Sequence, residues 1–232
     1  TERANITGDP NISIFDGGAA TVHFPRALGY SGSGIVEKTG AGVRGVKVGD
    51  RVAVLNSQHR GYCTVHGNQV IPIRYDDVSL EEAAFAYICT FPLAAVRKTR
   101  VELGEAAIVM GQGILGAMAV QFLHAAGAYP VIAADPVPSR RDFALTIGAD
   151  LALDPTDADF AAQVKESTQG GCNAAIEVSG QGKALDTVLD CMAKCGRVAL
   201  LGCTRDPNFT IDYYRKIHGP GITLIGAHTL AR

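Results

Sequence analysis

The sequence lacks a charge imbalance: 21 Lys and Arg stand against 23 Asp and Glu, a net charge of −2 over 232 residues. So balanced a chain carries no global cationic field, and neither nucleic acid nor a membrane surface is expected as a partner. It also lacks a long apolar run. A membrane-spanning helix needs ~18 or more consecutive apolar residues, and the greasiest window, Ala83 to Val96, is broken by Thr90 and Pro92 and bounded by Glu81-Glu82 and Arg97-Lys98. The opening Thr1-Glu2-Arg3-Ala4 has neither the cationic nor the apolar part of a secretory signal, and no initiator methionine, so the chain reads as a fragment. Six cysteines are present without a C-x-x-C pair. Most lie in or beside apolar runs, which suits buried thiols in a reduced, cytoplasmic setting. There is no internal repeat and no low-complexity tract.

What is present is an ordinary globular composition. Apolar residues make up 47% and charged residues 19%, which excludes a disordered chain. The length fits one large domain or two modest ones. The character of the chain changes near residue 80. Before it, short strands and turns dominate: Gly34-Ile35-Val36-Glu37, then Val46 to Val54 alternating about a Gly49-Asp50 turn like a hairpin, then Tyr62 to Val70. Ser79 to Arg100 reads as a helical connector, with Ser79 and Glu82 spaced as a capping box. From Glu105 onward, apolar strands (Ala106–Met110, Val131–Ala134, Leu151–Leu153, Ala174–Val178, Arg197–Leu201, Ile222–Ile225) alternate with helices. That pattern predicts a parallel sheet covered on both faces. The expected division is 1–90 and 91–232.

One motif carries chemistry. Gly111-Gln112-Gly113-Ile114-Leu115-Gly116 follows the first of these strands and opens a helix, and the next strand ends in Asp135, nineteen residues after Gly116. G-x-G-x-x-G alone is a weak signal; in this setting it describes a dinucleotide site. Gly111 permits the tight turn, Gly113 lets the backbone approach a pyrophosphate, and Gly116 lets the helix pack close to the sheet. The helix start at Ile114 and Leu115 offers unpaired N–H groups and a positive dipole end. Asp135 can accept both hydroxyls of an adenosine ribose and would repel a 2′-phosphate, which favours NAD. Arg140 and Arg141, close by, leave NADP open.

With these residues in view, the chain resembles the medium-chain dehydrogenase/reductase superfamily, the zinc-type alcohol and polyol dehydrogenases. Gly29, Gly34, Gly40 and Val43 match a glycine pattern of its catalytic domain. Lys47-Val48-Gly49-Asp50-Arg51-Val52 and Ser79-Leu80-Glu81-Glu82-Ala83-Ala84 match further family segments, as does Arg140…Ala144…Gly148-Ala149-Asp150. The resemblance implies a Rossmann doubly wound sheet joined to an incomplete GroES-like β domain. It also implies hydride transfer between a nicotinamide cofactor and a small alcohol, polyol or sugar-like hydroxyl, and a homodimer or homotetramer.

The departures matter as much. Where zinc members carry His and Glu after the glycine, this chain has Tyr30 and Ser31, and a further ligand position aligns with Tyr87; the four-cysteine structural lobe is missing. Tyrosine is a poor zinc ligand, so no catalytic zinc is expected. Oriented hydroxyls must then do the metal's work. The candidates are Tyr30, Ser31, Tyr87 and Thr1, the last matching the family's proton-relay hydroxyl. A phenol can act as general acid or base when suitably placed. Tyrosines that merely fill the vacated space are the rival reading. By the same resemblance, Ser179, Gly202 and Thr90 lie beside the nicotinamide and its ribose. His23, His59, His66, Cys63 and Cys89 fit no compact ligand spacing. Cys191 and Cys195 read as core packing, and Lys194, Arg197 and Arg215-Lys216 as scattered charges. Two alternatives stay open: an NADPH-dependent enone or quinone reductase, and a non-catalytic nucleotide-binding sensor.

Overall fold

A computed structural model describes residues 6–7, 24–25, 27–203 and 208–228. The chain divides into two compact units, Thr1–Cys89 and Thr90–Arg232.

The first unit holds an antiparallel sheet in the order β1 (Ser31–Ile35), β2 (Arg51–Leu55), β3 (Val70–Pro72). The register runs from Ser31 opposite Leu55 to Ile35 opposite Arg51. β2 is the central strand, and its Val52, Ala53 and Val54 are buried. The expected hairpin within 46–54 does not form. Lys47 to Asp50 instead closes a turn, in which the Asp50 carboxylate accepts the Lys47 N–H at 2.8 Å and the Lys47 carbonyl accepts the Asp50 N–H. Val48 is left exposed, so the alternation around it came from a turn rather than a buried face. Of the strand expected over Tyr62 to Val70 only Val70 is extended into a ladder, as the first residue of β3. His66 and Gln69 cap a short 3₁₀ turn, Gly67–Gln69, and such local side-chain bonds compete with a ladder.

α1 (Leu80–Ala83) starts at the expected box: Ser79 Oγ accepts the Glu82 N–H and the Glu82 carboxylate accepts the Ser79 N–H at 2.7 Å. The hydroxyls of Ser31 and Ser33 donate to the carbonyls of Ala84 and Leu80, tying β1 to α1. The connector is therefore two helices rather than one, α1 in the first unit and α2 (Thr90–Thr99) in the second.

The second unit is the expected doubly wound sheet. Its strands are β4 (Ala107–Met110), β5 (Val131–Ala134), β6 (Leu151–Leu153), β7 (Cys172–Glu177), β8 (Met192–Leu200) and β9 (Thr223–Gly226). They are ordered β6-β5-β4-β7-β8-β9, and all pairs are parallel. The helices are α2, α3 (Ile114–Ala125), α4 (Pro138–Thr146), α5 (Phe160–Ser167) and α6 (Gly182–Asp190), followed by a π-helical turn at Tyr214–His218. Because strand side chains alternate, two cores form. Ala107, Val109, Val131 and Ala133 pack with α2, α3 and α4 on one face. Ile108, Met110, Ile132 and Ala134 pack with α5 and α6 on the other. The order in which strands are added reverses between β4 and β7, and such a point opens a crevice at the carboxyl ends of the strands.

Candidate functional site

A cavity of about 690 Å³ opens at that crevice. Of the ten residues expected to hold a dinucleotide, seven line it: Gly111, Gly113, Ile114, Leu115, Asp135, Arg140 and Ser179. The turn between β4 and α3 is built as its glycines require. Gly111 has φ +100°, a region L side chains rarely adopt. Gly116 does not reach the cavity; a Cβ there would overlap the Gly111 carbonyl oxygen, so its work is close packing. A Cβ on Gly113 would meet no protein atom within 4 Å, and the residue caps α3 without a side chain. The first-turn N–H groups of α3 thus have no side-chain acceptor at the cap. Such a terminus suits a phosphate.

Asp135 follows β5 and is only 2% exposed. Its Oδ2 accepts the Gln112 N–H at 2.7 Å and its Oδ1 accepts the Val137 N–H at 2.9 Å. The carboxylate therefore braces the glycine turn as well as facing the cavity. The two nearby arginines separate. Arg141 is committed to Asp154, at 2.8 Å, and to the Asp135 carbonyl. Arg140 is about half exposed, lies 3.4 Å from Asp135 Oδ2, and lines the cavity. Lys183 and Thr187, on α6, line it too. The sequence reading missed both, although their i, i+4 spacing puts them on one helix face.

Sequence reasoning also missed Glu177, the last residue of β7, which is 3% exposed. Its Oε1 accepts the Ser179 N–H at 2.8 Å and the Ser179 hydroxyl. The Gly180 N–H is 3.1 Å from each carboxylate oxygen. Burial pushes the Glu177 carboxyl above its ordinary range, and the donors of Ser179 and Gly180 pull it back. Gly202 lies outside the cavity lining; a Cβ there would overlap Gly180, so its contribution is the close approach of two turns. Thr90 is exposed and opens α2.

In the first unit the structure brings Tyr30 and Tyr87 together, ring centroids 6.0 Å apart and nearly perpendicular. Both are half-buried. Ser31, beside them, gives its proton to Ala84 O and so is anchored in the scaffold. Thr1 and His23 lie outside the described residues. Tyr30, Ser31 and Tyr87 present hydroxyls, which are poor ligands for a tetrahedral zinc, and the nearby imidazole of His59 is packed against Gly29. Among the described residues no three His, Cys, Asp or Glu side chains converge. Burial is complete for Cys172 and Cys191 alone among the cysteines, and it pushes both thiols up, Cys191 to about 12. Cys195 is exposed, contrary to its reading as core.

A glycine turn opening a helix at the switch point of a six-stranded parallel sheet, with an acid closing the next strand, defines a dinucleotide-binding fold. Residues 4–99 match the alcohol dehydrogenase GroES-like domain, and residues 115–231 match the zinc-binding dehydrogenase domain. The chain belongs to the zinc-type medium-chain dehydrogenase/reductase superfamily.

It is 28% identical to the L-threonine 3-dehydrogenase of Pyrococcus horikoshii, over 87% of this chain and 66% of that one. The solved 2R,3R-butanediol dehydrogenase of Bacillus subtilis superposes with a TM-score of 0.75 at 26% identity, over 86% of this chain and 64% of that one. A quinone oxidoreductase of Pseudomonas syringae pv. tomato gives 0.72 at 28% identity, over 88% and 64%. The chain thus spans slightly less than two thirds of the length of these relatives.

Proposed function

We propose that this protein transfers a hydride between NAD(H) and a small alcohol, polyol or sugar-type hydroxyl compound or its ketone, without catalytic zinc. The observation that carries the reading is the convergence of seven motif residues, from Gly111 to Ser179, on one cavity at the carboxyl ends of β4, β5 and β7. Bound there, the nicotinamide supplies the hydride acceptor or donor. The α3 terminus receives the diphosphate, Gly113 gives it room, and Asp135 with Arg140 receives the adenosine ribose. The phenols of Tyr30 and Tyr87 hold the substrate oxygen. One of them, as its phenolate, takes the hydroxyl proton during oxidation and, as the resulting phenol, returns it to the carbonyl oxygen during reduction. Threonine, butanediol and sorbitol dehydrogenases among the relatives support the substrate class.

The buried carboxylate of Asp135 favours NAD, because a 2′-phosphate would be set against it. A second reading, an NADPH-dependent quinone or enone reductase, draws support from Arg140 and Lys183 on the cavity wall and from the quinone oxidoreductase relative. β9 is an edge strand among the described residues, which supports assembly as a homodimer or homotetramer. The test is calorimetric titration of the full-length protein with NADH and NADPH, followed by a panel of alcohols, ketones and quinones with chelator and with added zinc. NADH binding with chelator-resistant alcohol oxidation is the expected result. Activity lost to chelator and restored by zinc refutes the hydroxyl mechanism. Binding with no turnover at all favours a nucleotide sensor.

A further inference from the structure

We infer that Glu177 is a positioning residue for the dinucleotide, holding the turn after β7 in the shape the cavity wall requires. The inference rests on the cavity being a dinucleotide site. Glu177 sits between β4 and β8, opposite Met110 on one side and Leu200 on the other. Its carboxylate gathers three donors from the residues two and three ahead in the chain: the Ser179 N–H, the Ser179 hydroxyl and the Gly180 N–H. Ser179 Oγ in turn accepts the Gln181 N–H at 3.1 Å, and Gln181 is the N-cap of α6. The carboxylate thus reaches through one hydroxyl to the start of the helix that carries Lys183.

Two further contacts show why this turn bears on the cofactor. A Cβ on Gly111 would come within 3.3 Å of Ser179 N, so the diphosphate turn is packed directly against the turn Glu177 holds. The Glu177 carbonyl also accepts the N–H groups of Leu201 and Gly202, which locks the turn after β8 to the same residue. An acid buried in an apolar sheet is costly. Among the described residues this one has no cationic partner; its satisfaction comes from the N–H and O–H donors of a turn that lines the cavity. An amide would fill the same space but lose an acceptor and aim a second N–H at Gly180.

The experiment is calorimetric NADH binding to the full-length protein and to Glu177→Gln, with thermal unfolding of both. Glu177→Gln is expected to weaken NADH binding by about tenfold or more in protein that remains folded. Glu177→Asp, which keeps the charge, should recover part of the loss. Binding within about twofold of the parent in folded Glu177→Gln overturns the inference. Should Glu177→Gln fail to fold, Ser179→Ala removes only the hydroxyl arm. A loss of about threefold is then expected, and unchanged affinity overturns the inference. If the parent itself binds neither NADH nor NADPH, the dinucleotide reading falls and this inference with it. A parent that binds while both variants match it removes the inference alone.

Discussion

The two units build their sites from different materials. In the second, the site is chiefly backbone: a glycine at positive φ, a helix terminus without a side-chain cap, and buried acids that accept main-chain N–H groups. In the first, it is side chains: two phenols edge to face, one just before β1 and one after α1, beside serine hydroxyls that donate to the carbonyls of Leu80 and Ala84. Backbone geometry admits few residue types, whereas a pocket of side chains can be refilled with little effect on the fold. A site of the first kind should fail with the structure around it. One of the second kind should fail alone.

The largest expected effect tests that contrast directly. Gly116→Val places a branched side chain where even a Cβ overlaps the Gly111 carbonyl, and should cost about 3 kcal/mol or more of stability while abolishing NADH binding. Thermal unfolding and calorimetry check it; a variant that unfolds like the parent and binds NADH would break the comparison. Next in size is Tyr30→Phe. It removes one hydroxyl and leaves the ring packed against Tyr87, so turnover should fall by roughly 100-fold with NADH affinity and unfolding temperature unchanged. Turnover within about twofold of the parent would assign Tyr30 to filling space rather than to proton transfer.

The same contrast explains what was legible in the sequence. Gly111, Gly116 and Asp135 announced themselves because each answers a demand of the turn at a fixed distance along the chain. Glu177 did not: an acid bonding to N–H groups two and three residues ahead has no periodicity, and at the end of an apolar strand it resembles a surface residue. Lys183 and Thr187 had the right spacing, but nothing marked their helix face as the one toward the cavity. Val46 to Val54 misled in the opposite way, because a turn through Gly49 and Asp50 alternates apolar and polar residues just as a hairpin does. The pairing of Tyr30 with Tyr87 rested on family resemblance rather than pattern, since no local rule joins residues so far apart.

A structural ion pair gives a smaller effect that sharpens the comparison, since it lies in the backbone-built unit yet away from its cavity. Arg197 donates to Glu105, to the Thr99 carbonyl at 2.8 Å and to the Arg100 carbonyl, closing the end of α2 against β8. Arg197→Ala should cost about 2 kcal/mol at neutral pH with NADH affinity unchanged. The Arg197 hydrogen bond holds the Glu105 carboxyl below its ordinary range. Its folded pKa is thus lower than its unfolded one, so this part of the stability is present above the unfolded pKa and lost as pH falls through the folded value. The gap between parent and Arg197→Ala in chemical denaturation should therefore narrow on acidification below about pH 4.5. A gap constant across that range would mean the arginine acts only through the carbonyls.

The smallest expected effect concerns Arg140, which like Lys183 is an exposed cation on the cavity wall. Arg140 is about half exposed, and its approach to Asp135 at 3.4 Å is long for a charged hydrogen bond. Surface-exposed pairs of this kind contribute about 1 kcal/mol or less. Arg140→Ala should leave the fold intact, because Asp135 keeps its bonds from Gln112 and Val137. NADH affinity should fall by about fivefold or less. NADPH affinity should fall further, since the lost guanidinium is the group best placed to offset a 2′-phosphate beside a buried carboxylate. Paired titrations of parent and variant with the two nucleotides measure that difference. Equal losses for both would show that Arg140 serves the ribose alone and that Asp135 sets the choice of cofactor without it.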